Sequence, residues 1–173
     1  MTSLKSGFSL RSKSLTKEKN IKKILLVEDE LHKREELTAC LQEFYKSDVQ
    51  LVHVDSVRAA FWAVSTDVFD LIVLDMALPT FSPEGGAALD RGHDQALGGV
   101  EILRALKQRN LRSKIVIITQ YPDITIGGKR IKLNEAAGVL SRRYDQDVIG
   151  GILYKYKSPA NAIKLTAMLK KMQ

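Results

Sequence analysis

The sequence predicts an α/β protein whose five-stranded parallel sheet carries helices on both faces. Three observations carry that prediction. The run Leu71-Ile72-Val73-Leu74 is apolar throughout, bounded by Asp70 and Asp75, as expected of a strand buried on both faces. Runs of this kind alternate with helical patterns along the chain, which implies right-handed crossovers and a parallel sheet. Acids, a threonine and a lysine stand just after the expected strands, where a parallel sheet opens its crevice.

In chain order, Lys22-Lys23-Ile24-Leu25-Leu26-Val27 is the first strand, ending in Glu28-Asp29-Glu30. A helix follows from about Leu31 to Tyr45, with Leu37, Cys40, Leu41 and Phe44 recurring on one face. Val49 to Val54 is the second strand. Ser56 is suited to cap a helix over Val57–Val64. Leu71–Leu74 is the third strand, and Pro79 closes the segment after it because proline cannot extend a ladder. Thr80 to Gly98 contains Pro83, Gly85, Gly86, Gly92 and Gly98 and no apolar period, so it reads as a long loop. Val100 to Lys107 restores a helix, and Lys114–Ile118 with Thr119 is the fourth strand. A second long connection, Gln120 to about Val148, holds a helix from roughly Lys132 to Tyr144. Gly151–Tyr154 is the fifth strand, followed by Lys155. The last helix starts at Ser158-Pro159, Ser as cap and Pro as first helical residue, and buries Ala162, Leu165, Met168, Leu169 and Met172. The expected architecture is a flavodoxin-like doubly wound sheet of order 2-1-3-4-5. In that order Glu28, Asp29 and Asp75 end on adjacent strands.

Composition narrows the setting. A chain of 173 residues, 45% hydrophobic, suits one domain plus extensions. No apolar run approaches the roughly 18 residues that span a bilayer, so no membrane association and a cytoplasmic location are expected. The single cysteine, Cys40, lies on an apolar stripe and reads as a small buried hydrophobe. The net charge is +7, and residues 1–20 supply +4 of it. That tail is Ser- and Lys-rich without periodicity, hence expected to be disordered. It also shares the basic, acid-poor character of a transit peptide. Residues 21–173 form the folded domain, with insertions at about 80–98 and 120–148.

Three carboxylates at one sheet edge repel one another. A divalent cation and a lysine would supply the missing charge. Mg²⁺ suits a site of one or two carboxylates, a carbonyl and waters. Lys155 is placed to pair with Asp75 or with a phosphoryl oxygen, and Thr119 to donate to a phosphoryl group on Asp75. Carboxylates serve as phosphoryl acceptors by forming an aspartyl phosphate.

This set resembles the receiver domain of bacterial response regulators. The matching pieces are Ile24-Leu25-Leu26-Val27-Glu28-Asp29-Glu30, Leu74-Asp75-Met76-Ala77-Leu78-Pro79, Gly99-Val100-Glu101-Ile102-Leu103, Ile118-Thr119 and Gly151-Ile152-Leu153-Tyr154-Lys155. The resemblance implies that Glu28 and Asp29 hold Mg²⁺ with Asp75 and the backbone carbonyl of Ala77. It implies that Asp75 takes a phosphoryl group from a phosphohistidine, that Thr119 is the switch hydroxyl, and that Lys155 contacts the phosphoryl group. Lys157 is a rival for that last role. The chain departs from the family in the extended loops after Pro79 and between strands four and five, and at three residues. Gln120 replaces a small residue after the threonine, Ile152 replaces an aromatic, and Tyr156 replaces the proline that often follows the lysine.

The implied function is a single-domain response regulator in two-component signalling, phosphorylated by a sensor histidine kinase or phosphotransfer protein. It would signal through a downstream protein or by self-association as a homodimer. It is not expected to be an enzyme beyond assisting its own phosphoryl transfer and hydrolysis. The alternative is a phosphorylation-independent adaptor, favoured by Gln120, Ile152 and the long loops. A phosphatase of the haloacid dehalogenase type needs a general acid two residues after its nucleophile, where this chain has Ala77. Nucleic acid is not an expected partner, although a basic tail is the feature that would bind it. Asp90, His93 and Asp94 read as a solvated loop rather than a metal site. Gly127-Gly128-Lys129-Arg130 lacks the spacing of a phosphate-binding loop.

Overall fold

Each face of the central sheet buries its own apolar layer in the computed structural model, which describes residues 21–80 and 98–172. The elements are β1 (Lys22–Val27), α1 (Leu31–Tyr45), β2 (Val49–Val54), α2 (Val57–Thr66), β3 (Leu71–Leu74), α3 (Gly98–Gln108), β4 (Lys114–Thr119), β5 (Asp123–Ile126), β6 (Lys129–Lys132), α4 (Leu133–Tyr144), β7 (Asp147–Leu153) and α5 (Ala160–Lys170). Five strands form a parallel sheet in the order β2-β1-β3-β4-β7. This is the flavodoxin-like 2-1-3-4-5 order, with β7 as the fifth strand of the sheet.

Alternation along each strand feeds the two layers. Leu25 and Val27 of β1, with Ile72 and Leu74 of β3, join the layer under α2, α3 and α4. Ile24 and Leu26, with Leu71 and Val73, join the layer under α1 and α5. All four residues of β3 are buried, as a central strand covered on both sides requires. Ser56 caps α2 as its sequence position predicts, its side chain accepting from the Ala59 N–H at 3.3 Å. Cys40 is buried and its thiol is pushed up by burial.

Three expectations change in detail. The connection after β4 contains a β-hairpin, β5–β6, that pairs antiparallel across Gly127-Gly128. Both glycines have positive φ, 58° and 79°, which a two-residue hairpin turn demands. Ile124 and Ile126 of that hairpin are buried against α4. The fifth sheet strand starts at Asp147, four residues earlier than expected. Gly150 and Gly151 interrupt its apolar run because helices crowd it. A Cβ on Gly150 would lie 2.7 Å from Met168, and one on Gly151 would lie 2.5 Å from Leu133. Helix α5 starts one residue late, with Pro159 itself at the cap position. The tail 1–20 and the loop carrying Asp90, His93 and Asp94 lie outside the described residues.

Candidate functional site

Parallel strands β1 and β3 run in register, Val27 opposite Leu74, so the residues after them emerge side by side. Asp75 is almost wholly buried, and its N–H donates to Val27 at 3.0 Å. Glu28 is fully buried and Asp29 half-buried. Oxygens of Glu28, Asp29 and Asp75 all lie within 4.8 Å of one another. The structure therefore brings together the three carboxylates nominated from the sequence.

Local hydrogen bonds shape this edge. Asp75 Oδ1 accepts from the Ala77 N–H at 3.2 Å, turning the chain after β3. Glu28 Oε1 accepts from the Glu30 N–H at 3.0 Å. Gly99 supports the floor, its N–H donating to Met76 at 3.2 Å. Thr119 closes β4 and is buried, its hydroxyl oxygen accepting from the Tyr121 N–H at 3.4 Å.

The lysine on Asp75 is Lys33, which sequence reading missed. Its Nζ lies 2.8 Å from Asp75 Oδ2 and 2.7 Å from Glu28 Oε2, with the side chain fully buried. The contact to Asp75 is an aligned hydrogen bond. That to Glu28 Oε2 is close but out of line, and this buried oxygen has no hydrogen-bond partner among the described residues. Lys155 makes no ion pair with Asp75 within 4 Å among the described residues. Its side chain is exposed, and its backbone is clasped by Asn161, which accepts from its N–H at 3.1 Å and donates to its carbonyl at 2.7 Å. Lys157 is exposed too. The signal for Lys33 was on the page of the sequence. It lies one turn before Leu37 on the apolar stripe of α1, and a lysine on a buried stripe needs a partner.

Burial, and after it the charge of Asp75, push the Glu28 carboxyl up to about 7 against the pull of Lys33. The same two causes raise Asp29. Burial works against the charge of Lys33, but Asp75 and Glu28 outweigh it and raise its pKa. Three carboxylates with a single ammonium leave surplus negative charge. That surplus and the all-oxygen donor set of Glu28, Asp29 and Asp75 fit a hard divalent cation.

Around this centre α1 meets the segment after β7. Tyr154 is buried with its ring 5.4 Å from Lys33 Nζ. Its hydroxyl donates to Glu36 at 2.7 Å, and Asn161 donates to the other Glu36 oxygen at 2.8 Å. Burial and then Glu36 raise the Tyr154 pKa. At the rim, Gln120 donates to Glu30 at 2.5 Å. His32 stands 3.2 Å from Glu30 and edge-on to Tyr156, with ring centroids 5.0 Å apart.

A doubly wound sheet with clustered acids after β1 and β3 defines a receiver-type domain. The family model of the response regulator receiver domain matches residues 24–153. The chain belongs to that family. Among curated proteins it is similar to the Detocs response regulatory protein DtcB of Vibrio alginolyticus, 30% identical over 124 residues, covering 70% of this chain and 80% of that protein. The protein of the same name from Enterobacter cloacae is 26% identical over 137 residues, covering 79% and 90%. Among solved structures, the response regulator TrrA of Thermotoga maritima, in complex with Mg(2+)-BeF, superposes with a TM-score of 0.55 at 20% identity, covering 88% of this chain and all of that one. The response regulatory domain of mrkE from Klebsiella pneumoniae gives 0.56 at 19%, covering 87% and 93%. These structural likenesses establish the shared fold. Among the described residues, no helix is long and apolar enough to cross a membrane.

Proposed function

We propose that this chain is a response regulator whose Asp75 accepts a phosphoryl group from a phosphohistidine donor, on a sensor kinase or phosphotransfer protein. The observation that carries the reading is the convergence of Glu28, Asp29 and Asp75 on one buried point at the ends of β1 and β3. Glu28, Asp29 and Asp75, with the carbonyl of Ala77, would hold Mg²⁺. When bound, that ion neutralises charge on the phosphoryl oxygens. Asp75 is the nucleophile, paired with Lys33 and aimed by the Ala77 N–H. Thr119 is the hydroxyl that meets the phosphoryl group. The output is contact with a downstream protein, in the cytoplasm. The similarity to Detocs response regulatory proteins supports a regulatory role of that kind.

The test is intact mass after incubation with an acyl phosphate and Mg²⁺, beside D75N. A single phosphoryl adduct that needs Mg²⁺ and is absent from D75N is the expected result. No adduct on the native chain or on Q120A sinks the reading. The second reading, an adaptor that works unphosphorylated, draws on the Gln120–Glu30 bridge at the rim.

A further inference from the structure

We infer that Lys33 of α1, rather than Lys155, supplies the ammonium that contacts the phosphoryl group on Asp75; this rests on the phosphoacceptor reading above. Lys33 Nζ already lies 2.8 Å from Asp75 Oδ2. An ammonium has three donors, and among the described residues Lys33 makes one aligned side-chain hydrogen bond, to Asp75. The contact to Glu28 Oε2 is out of line. Donor capacity therefore remains on a cation beside the reacting oxygens. The side chain is fully buried under Tyr154, so its position is settled before any phosphodonor arrives. Lys155 has the opposite properties. Its exposed chain would have to give up rotamer freedom and approach from a backbone that Asn161 holds from both sides.

In the transfer, an Asp75 oxygen attacks phosphorus and forms the new P–O bond. The bond from phosphorus to the donor's leaving atom breaks, and the leaving atom keeps the electron pair. The singly charged carboxylate becomes an acyl phosphate carrying up to two negative charges. Lys33 stays protonated throughout and stabilises the charge that arrives, so no further proton or co-reactant is needed. It touches the reacting carboxylate and is thus a catalytic residue of the transfer.

The experiment compares the native chain with K33Q, K33R and K155A in acetyl phosphate and Mg²⁺, read by intact mass. K155A is expected to keep its rate within about threefold of native, and K33Q to fall about a hundredfold. Native adduct that K155A abolishes and K33Q retains overturns the inference. Loss in both variants also overturns it, since Lys33 then does not stand in for Lys155. Should K33Q fail to fold, ¹⁵N-lysine-labelled native protein decides. Beryllofluoride with Mg²⁺, a phosphoryl mimic, is expected to shift the buried ammonium signal that is missing in K33R. A shift confined to the signal missing in K155A overturns the assignment. Native protein that gives no adduct fails the phosphoacceptor reading itself, a different result from an adduct that ignores Lys33.

Discussion

Gln120 and Glu30 close the rim of the acidic site, the Gln120 amide donating to the Glu30 carboxylate at 2.5 Å. The bond joins the loop after β4 to the loop after β1. Gln120 follows Thr119 and Glu30 follows Asp29, so the bridge is expected to narrow the path of a donor to Asp75. One hydrogen bond to a charged acceptor at an exposed rim is worth about 1 kcal/mol net. Q120A is therefore expected to speed adduct formation from a small phosphodonor about fivefold. The check is the initial rate by intact mass, with a rate at or below native counting against a gating role.

Tyr154 and Asn161 share the two oxygens of Glu36 and so tie α1 to the segment after β7. Y154F leaves Glu36 its Asn161 bond and is expected to cost about 1 kcal/mol, or about 2–4 °C in Tm. N161A should cost more, because it also strips the Lys155 N–H and carbonyl of their partner. Thermal unfolding of the two variants gives the order directly.

Gly99 allows α3 to approach the turn after β3. A Cβ there would stand 2.7 Å from the Asp75 carbonyl oxygen and 2.8 Å from the Met76 Cα. Backbone cannot step aside as a side-chain tip can. G99A is expected to lose about 1–3 kcal/mol, visible as a lowered denaturation midpoint. It should also weaken phosphorylation by moving Asp75.

Metal-free protein should lose stability as pH rises toward neutrality through Glu28. Burial and the charge of Asp75 push its carboxyl up to about 7 in the folded chain, against the usual 4.5. Between those values the folded state binds more protons than the unfolded one. The contribution is thus fully present below about pH 4.5 and is lost as pH rises through 7. A divalent cation competes with that proton, so its stabilising effect should grow over the same interval. Melting curves in EDTA and in Mg²⁺, from pH 5.5 to 8, test both signs. A Tm gain from Mg²⁺ that shrinks with rising pH contradicts the assignment.

The order of strands and helices was legible because each rests on local pattern. Leu71–Leu74 is an unbroken apolar run, the stripe from Leu37 to Phe44 has helical spacing, and Ser56 is a cap by chemistry. Glu28, Asp29 and Asp75 were legible for the same reason, since each directly follows a recognisable strand. The β5–β6 hairpin was written in Asp123-Ile124-Thr125-Ile126-Gly127-Gly128, a short alternation into a two-glycine turn. It was hidden only by the length of the connection around it. The start of β7 was obscured by Gly150 and Gly151, whose reason is the approach of Met168 and Leu133 from distant helices.

The sequence by itself determined the sheet order, the buried β3 and the acids at its edge, because apolar period and strand ends are local properties of the chain. Only the tertiary structure decided which cation meets Asp75. Lys33 and Lys155 both stand near the ends of sheet strands in sequence, and a lysine stem is long enough to serve from either place. Packing of α1 on the sheet buries Lys33 against Glu28 and Asp75, whereas Asn161 pins the backbone of Lys155 and its side chain lies in solvent. A buried ammonium must find carboxylates and buried carboxylates must find a cation, and that pairing is settled by contacts between residues 42 positions apart.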